Sequence, residues 1–424
     1  MWMTLRLTSD TVWNASTSRT YDIFLYPTQR EVLNRASKNW LYALGTGSGK
    51  TFISIHHYLK HSNLSTPLLI IDPPAKRKTG DWAKAIKFVE SQYDIEIEFE
   101  ELSWGMLSKK WQDYKGYYVI VDECHTVKNS TSQVGKAFYQ LSQQADGFCL
   151  LSATPMANGW EDSINYFKSF NMTKNKTQFL REYAVTETRR LANGRTFPQI
   201  VDWRNQDELK SKWQSISIER DAKYFVELPT LNEEFVEFRK SSLYKELDKH
   251  RVIEVDGELI AFDNLPKLNT GRRQFGNTKD KIEHLKMISD TKENVLVFYN
   301  FNREREALYE LFNKTDKTIY EVSGHGFNLP DSHNVENTVT LVQYQAGGAG
   351  IELQYCSIIV LYSPTYSYQD YIQSIGRAYR PGGHQKLMMY KYKVKGTIDT
   401  QIYRALENKQ DFKDSLYEDS EVTT

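Results

Sequence analysis

Short apolar runs rich in β-branched and aromatic residues alternate along this chain with stretches whose apolar positions recur at helical spacing. That alternation predicts an α/β protein with parallel sheets and crossover helices. In the first half the strand candidates are residues 40–43, 68–72, 95–99, 117–122 and 148–152. In the second half they are 295–299, 318–322, 339–343, 357–362 and 387–394. One α/β unit therefore lies on each side of a different middle. That middle, about 160–282, has few apolar runs and many charges, and predicts helical or hairpin insertions rather than a third sheet. The division expected is 1–225, with a basic protrusion at about 160–225, and 226–424, with a helical insertion at about 230–282. No fixed-period repeat and no low-complexity tract interrupts the pattern.

Composition narrows the function classes. The 424 residues correspond to two or three domains at ~100–200 residues each. With 40% hydrophobic and 25% charged residues, a large core forms and general disorder is excluded. Lys plus Arg and Asp plus Glu are each 54, so the formal charge is zero. A binder relying on a diffuse basic field is disfavoured, and any grip on nucleic acid must be local. No apolar run approaches the ~20 residues of a membrane helix. The start, Met1-Trp2-Met3-Thr4-Leu5-Arg6, lacks the features of a signal peptide. The three cysteines, Cys124, Cys149 and Cys356, are odd in number and far apart, which argues against a disulfide framework or a cysteine zinc site. Cys149 and Cys356 read as small core hydrophobes. The expectation is a cytoplasmic protein without a membrane partner.

Charge is uneven locally. Between 171 and 204 lie Lys174, Lys176, Arg181, Arg189, Arg190, Arg195 and Arg204 against only Glu182, Glu187 and Asp202. Asn193-Gly194 is a hairpin-turn signal between Thr188-Arg189-Arg190 and Arg195-Thr196-Phe197. Arg189, Arg190 and Arg195 are candidate nucleic-acid contacts on that hairpin; the alternative is a solvated protrusion that braces its neighbours. From Glu407 onward the chain is acidic and would repel a phosphate backbone. Lys391, Lys393 and Lys395 alternate along one strand candidate, and are read as facing solvent or blunting an edge rather than binding DNA.

Three motifs carry chemistry. After the strand candidate 40–43 comes Gly45-Thr46-Gly47-Ser48-Gly49-Lys50-Thr51, then a helical stretch from Phe52. Strand, glycine-rich turn and helix are the context of a phosphate-binding loop. Inward N–H groups and the helix N-terminus attract the anion, Lys50 reaches the β- and γ-phosphates, and the Thr51 hydroxyl holds Mg²⁺. The longer G-x-x-x-x-G-K-T pattern asks for glycine where this chain has Leu44; the shorter G-x-G-K-T needs only Gly47, Gly49, Lys50 and Thr51. Next, the buried-strand run 117–121 ends in Asp122-Glu123-Cys124-His125, where α/β sheets bind ligands. Asp122 is placed to hold Mg²⁺ through water, and Glu123 to orient or deprotonate the attacking water; the bland reading is a solvated acidic turn. Finally, Ser152-Ala153-Thr154 follows another strand. Its hydroxyls either bond the acidic pair and relay the nucleotide state together with His125, or mark an ordinary strand-to-turn junction.

In this order and spacing the three motifs resemble a superfamily-two helicase motor. Gln373-Ser374-Ile375-Gly376-Arg377-Ala378-Tyr379-Arg380 matches Q-x-x-G-R-x-x-R without a gap, and Ala346-Gly347-Gly348-Ala349-Gly350-Ile351-Glu352-Leu353 resembles the preceding glycine-rich motif. The paired glycines, Gly396-Thr397-Ile398-Asp399, the early Leu25-Tyr26-Pro27-Thr28-Gln29 and the segment 68–82 resemble the Swi/Snf-like branch, in a minimal phage- or bacterial-type form. The likeness spans about 25–409. Two departures are visible: Glu352 stands where the branch has Asn or Asp, and the short stretch 324–339 lacks an arginine found there.

The resemblance implies two RecA-like lobes in tandem, with ATP and Mg²⁺ between them. On it, Lys50, Thr51, Asp122 and Glu123 work from the first lobe, and Arg377, Arg380 and Gln373 from the second. Gln29 reads adenine, Gly45 to Gly49 and Gly350 cradle the nucleotide, and Lys76, Arg77, Gly347 and Gly348 grip a nucleic-acid backbone without reading sequence. The implied function is a DNA-stimulated ATPase moving on duplex, forked or branched DNA as a monomer, in a bacterial cell or phage-infected host, with replication or recombination proteins as further partners. The alternatives are a strand-separating helicase on forks or RNA, with the hairpin as wedge, and an ATP-gated binding or loading module without sustained movement.

Overall fold

The computed structural model describes residues 22–408 except 74–75, 78–79, 158, 191–195, 256 and 347–350. Among them the chain first lays down β1 (Trp40–Leu44), β2 (Leu68–Asp72), β3 (Phe99–Ser103), β4 (Tyr118–Asp122) and β5 (Gly147–Ser152). A hairpin of β6 (Ala184–Arg190) and β7 (Thr196–Trp203) follows, and then β8 (Ser217–Arg220). All but the hairpin join one parallel sheet in the order β3-β2-β4-β5-β1-β8. The interior strands β1, β2, β4 and β5 are buried at every position, because helices cover both faces. Helices Pro27–Arg35, Lys50–His61 and Asp81–Tyr93 pack on one face, around Val32, Ile53, Tyr58, Trp82 and Ile86. Helices Gln133–Gln144, Trp160–Ser169, Lys176–Tyr183 and Gln206–Gln214 cover the other, around Phe138, Phe167, Phe179 and Trp213.

The second sheet takes β9 (Thr230–Phe238), then β12 (Val295–Tyr299), β13 (Thr318–Val322), β14 (Phe327–Asn328), β15 (Thr338–Gln343), β16 (Ile358–Leu361) and β17 (Lys386–Val394). Its order is β14-β13-β15-β12-β16-β17-β9, parallel except for the short β13–β14 pair. Helices Tyr368–Ala378 and Ile398–Glu407 pack on one face, and Thr278–Ser289 and Asn302–Phe312 on the other. Between β9 and β12, helices Ser242–His250 and Leu265–Gln274 flank a hairpin of β10 (Val252–Val255) and β11 (Glu258–Ala261) around a small core of Leu247, Ile253, Phe262 and Phe275.

The α/β class and the paired parallel sheets are as the sequence predicts. Three expectations need correction. The strand expected at 95–99 lies at Phe99–Ser103. Asp94, at φ 51°, closes the preceding helix, and residues 95–98 only bring the chain to the sheet. As an edge strand β3 tolerates Glu100 and Glu101, whereas the apolar Ile95 and Ile97 drew the sequence reading upstream. The middle is not confined to insertions: it supplies β8 and β9, the last strand of each sheet. Both are polar edge strands with one hydrogen-bonded neighbour, and so carry no apolar run. Nor do the lysines of β17 blunt an edge. β9 pairs along the whole of β17, and Lys391 is buried against Glu233, while Lys393 reaches Glu237 at 2.9 Å.

The β6–β7 hairpin forms, with Arg189 opposite Phe197 and Arg190 opposite Thr196. Its turn, with Arg195, lies outside the described residues, as do Gly347, Gly348, Gly350 and the acidic residues after 408. The stretch 221–229 joins β8 to β9 and runs beside the phosphate loop. Gly45 N–H donates to the Arg220 carbonyl (2.9 Å), and the Tyr224 hydroxyl bonds Glu31. The three cysteines are buried, and no described helix is long and apolar enough to cross a membrane.

Asn294, just before β12, fastens the second sheet. Its Nδ2 donates to the carbonyls of Val335 (2.6 Å) and Tyr355 (2.9 Å), and its Oδ1 accepts from Thr338 N–H (3.1 Å) and Thr338 Oγ1 (2.9 Å). Asn294→Ala strands these buried groups and is expected to cost about 2–4 kcal/mol, read as a lower urea midpoint with an unchanged m-value.

Candidate active site

The phosphate loop starts where β1 ends. Leu44, the departure from the longer pattern, is the last residue of β1, buried and paired with Arg220, so the turn begins one residue later at Gly45. Gly49 caps helix Lys50–His61 from the left-handed region (φ 78°), and a Cβ there would stand 2.3 Å from Gln29 Nε2. Gln29 is itself pinned: Oε1 accepts from Tyr26 N–H (3.0 Å), and Nε2 donates to the Ser48 carbonyl (2.9 Å). It therefore fastens the loop to helix Pro27–Arg35. Lys50 folds back onto the loop, with Nζ donating to the carbonyls of Leu44 (2.7 Å) and Gly45 (3.2 Å). Burial lowers its pKa to about 8 against the pull of Glu123 and Asp122. Ser48 Oγ is buried with no hydrogen-bond partner among the described residues.

The acidic pair sits at the C-terminal end of β4. Asp122 is 2% exposed; Oδ1 accepts from Glu123 N–H (3.0 Å), and Oδ2 lies 2.5 Å from Lys76 Nζ. Lys76, a grip residue on the sequence reading, thus points inward at the acidic pair, whereas Arg77 is exposed. Glu123 takes φ 51°, which turns the chain into the short helix Cys124–Val127. Its Oε2 lies 3.3 Å from His125 Nδ1. Burial alone would raise its pKa, but the contact and charge of His125, with Lys50 and Lys76, hold it well below the usual carboxylate range. His125 Nδ1 also lies 3.2 Å from Ser152 Oγ, which accepts from Thr154 N–H (3.1 Å). The hydroxyl of the Ser-Ala-Thr segment therefore meets His125, not the acidic pair. Helix Trp160–Ser169 braces this corner: Tyr166 hydroxyl donates to the Cys124 and Pro155 carbonyls, and Asn165 Nδ2 to those of Val127 and Gly135. Sequence reasoning missed both residues, which look like ordinary helix positions.

The second lobe closes over this loop through helix Tyr368–Ala378. At Gly376 a Cβ would come within 2.9 Å of Thr46 Oγ1, so this helix rests directly on the phosphate loop. Arg377 is buried. Burial and then Arg380 bring its pKa down to about 10, while Glu123, Asp122 and Glu352 oppose them. Arg380 donates from Nε to the Gly376 carbonyl (2.5 Å), and its charge helps depress Lys50. Gln373 is half-buried on the same helix. A third missed residue, Gln369, puts its amide nitrogen 2.5 Å from His125 Nε2 and so joins the lobes. It lies four positions before Gln373, outside the Q-x-x-G-R-x-x-R frame, which is why no motif pointed to it.

Asp72 ends β2 beside Asp122. Burial, then Glu101 and Asp122, push its pKa up to about 7, against Arg77 and Lys76. The folded state therefore holds this proton more tightly than the unfolded chain does. Stability contributed by the group is full below about pH 4 and is lost as pH rises to about 7. Asp72→Asn removes that loss. Its melting temperature is expected to exceed wild type by several degrees at pH 8, with the gap closing toward pH 4 in a calorimetric series; a gap independent of pH would contradict the assignment.

Residues 277–382 match the helicase conserved C-terminal domain family. An uncharacterized ATP-dependent helicase of Mycoplasma pneumoniae is 24% identical over 323 residues, covering 70% of this chain and 30% of that protein. SWI/SNF-related matrix-associated actin-dependent regulator of chromatin subfamily A member 1 of Mus musculus is 21% identical over 446 residues, 88% of this chain and 41% of that protein. The chain spans well under half the length of these curated relatives. Among solved structures, the Sulfolobus solfataricus SWI2/SNF2 ATPase core in complex with dsDNA aligns with 93% of this chain and 92% of its own, at 17% identity and a TM-score of 0.41. The chain thus carries a helicase conserved C-terminal domain at 277–382 and is similar in sequence, over most of its length, to Swi/Snf-like ATP-dependent helicases.

Proposed function

We propose that the protein is a DNA-stimulated ATPase that moves along duplex or branched DNA. The observation that carries this reading is the seating of Arg377 and Arg380 on the far wall of the phosphate loop, in the field of Glu123 and Lys50. The residues fit a Mg–nucleotide: among the described residues Ser48 Oγ is a buried hydroxyl without a partner, and Lys50 Nζ bonds the Leu44 and Gly45 carbonyls. Thr51 and Asp122 would hold Mg²⁺, which when bound offsets charge on the β- and γ-phosphate oxygens.

The chain's own groups divide the work. Lys50 swings from the Leu44 and Gly45 carbonyls to the phosphates. Glu123, kept as a carboxylate beside His125, orients the attacking water and accepts its proton. Arg377 and Arg380 meet the charge that develops on the transferred phosphoryl group, worth about 10³–10⁵ in rate for such arginines. Gln373 helps place the water or the γ-phosphate, and Gln29 couples the base pocket to the loop. Neither lobe holds the full set, so turnover requires closure, and the His125–Gln369 contact reports closure to the acidic pair. Alternate opening and closing moves the lobes along a backbone gripped by Arg77, the basic hairpin and the glycines at 347 and 348, without base contacts.

A second reading, strand separation on a fork, is favoured by the hairpin itself. Most of β6 and β7 is exposed on both faces, including Phe197 and Val201, which suits a wedge. Triplex displacement assayed beside fork unwinding separates the two, since unwinding without triplex displacement would demote duplex tracking.

Lys50→Ala is expected to abolish hydrolysis with the fold intact, and Glu123→Gln to leave ATP bound but uncleaved. Arg377→Ala should lower kcat by about 10³ with little change in nucleotide affinity; equal losses in both would contradict a transition-state role. Arg189→Ala with Arg190→Ala should weaken DNA binding and shrink the slope of log K against log salt by roughly one to two units, whereas an unchanged slope returns the hairpin to bracing.

A further inference from the structure

Proton and phosphate chemistry at this site leave Lys76 and Asp72 without a task, yet both are turned into it. Lys76 Nζ lies 2.5 Å from Asp122 Oδ2, and Glu123 N–H occupies Oδ1. Both oxygens of the carboxylate assigned to a cation are therefore already engaged. One strand away, the β2–β4 register sets Ile71 opposite Val121, which brings Asp72 alongside Asp122 on the same face of the sheet. Asp72 is 0% exposed, and neither of its oxygens has a hydrogen-bond partner among the described residues. Lys76 N–H donates to the Pro73 carbonyl (3.0 Å), so the lysine stem rises from a turn at the end of β2, next to both carboxylates.

We propose that Lys76 is the cation Asp122 holds before a Mg–nucleotide is loaded, and that loading drives its ammonium from Asp122 onto Asp72. This rests on the nucleotide-site reading above. A metal-bound water donates to a carboxylate at ~2.5–2.7 Å, the separation at which the ammonium now sits, so the two compete for Oδ2. A displaced ammonium in a buried site needs another anion, and Asp72 is a neighbouring carboxylate whose two oxygens have no hydrogen-bond partner among the described residues. Before loading, one of the two buried carboxylates has a cation; after it, both do. Lys76 is followed directly by the exposed Arg77, so the exchange takes place next to a residue proposed to grip DNA.

The test is Mn²⁺ binding to the full chain saturated with the β,γ-imido analogue of ATP, read by electron paramagnetic resonance of free Mn²⁺, so that turnover plays no part. Lys76→Met, which keeps the stem and removes the competitor, is expected to tighten Mn²⁺ binding about fivefold or more. Asp72→Asn should weaken it by a similar factor, and should do nothing in the Lys76→Met background. Mn²⁺ affinity unchanged or weaker in Lys76→Met, or an Asp72→Asn effect equal in both backgrounds, overturns the exchange. Lys76→Gln gives the same comparison should Lys76→Met fail to fold. Asp122→Asn keeps the two levels apart: if it loses Mn²⁺ while Lys76→Met equals wild type, only the exchange fails. If Asp122→Asn binds Mn²⁺ like wild type, the nucleotide-site reading fails with it.

Discussion

Two guanidinium groups at the end of helix Tyr368–Ala378 and two carboxylates at the end of β4 face each other across a seam, with the phosphate loop between them. Each charge there is costly to bury alone. Arg377 is lowered by desolvation and by Arg380, and recovers part of that from Glu123 and Asp122; Lys50 follows the same pattern. The closed arrangement thus depends on charges of opposite sign arriving from both lobes. Close backbone approach makes it possible, since helix Tyr368–Ala378 lies against Thr46 only because position 376 has no side chain.

The second sheet handles its charges differently. Lys391 and Lys393 extend from β17 toward Glu233 and Glu237 of β9, and both lysines sit over the Phe235 ring. The outermost strand is therefore held by ion pairs and cation–π contacts as well as by backbone hydrogen bonds. That pairing explains how so polar a segment as β9 finds a fixed register beside β17.

The interior strands were legible because a parallel sheet covered on both faces needs apolar residues at successive positions. β2 and β12 fall at the expected bounds for that reason. The edges β3, β8 and β9 were not, since one-sided strands carry the charges that sequence reasoning assigns to loops. The loop, the acidic pair and the arginine motif were visible as ordered local patterns, and the structure brings Lys50, Asp122, Glu123, Arg377 and Arg380 into one charged cluster. Contacts set by tertiary packing were invisible: Tyr166 and Asn165 under the acidic corner, Gln369 on His125, and the inward turn of Lys76. None of these has a spacing that announces it.

The join between the two sheets bears on how the lobes can part. Residues 221–229 leave the edge of one sheet and enter the edge of the other, a tether of roughly 30 Å at full extension. Arg220, just before it, is tied to the phosphate loop through Gly45, and its own Tyr224 is tied to helix Pro27–Arg35 through Glu31. The pivot is thus fastened to the same backbone that would cradle the triphosphate. A change in the angle between the two sheets would therefore bear directly on the backbone of that loop, because the connection between them and the glycine turn share one anchor.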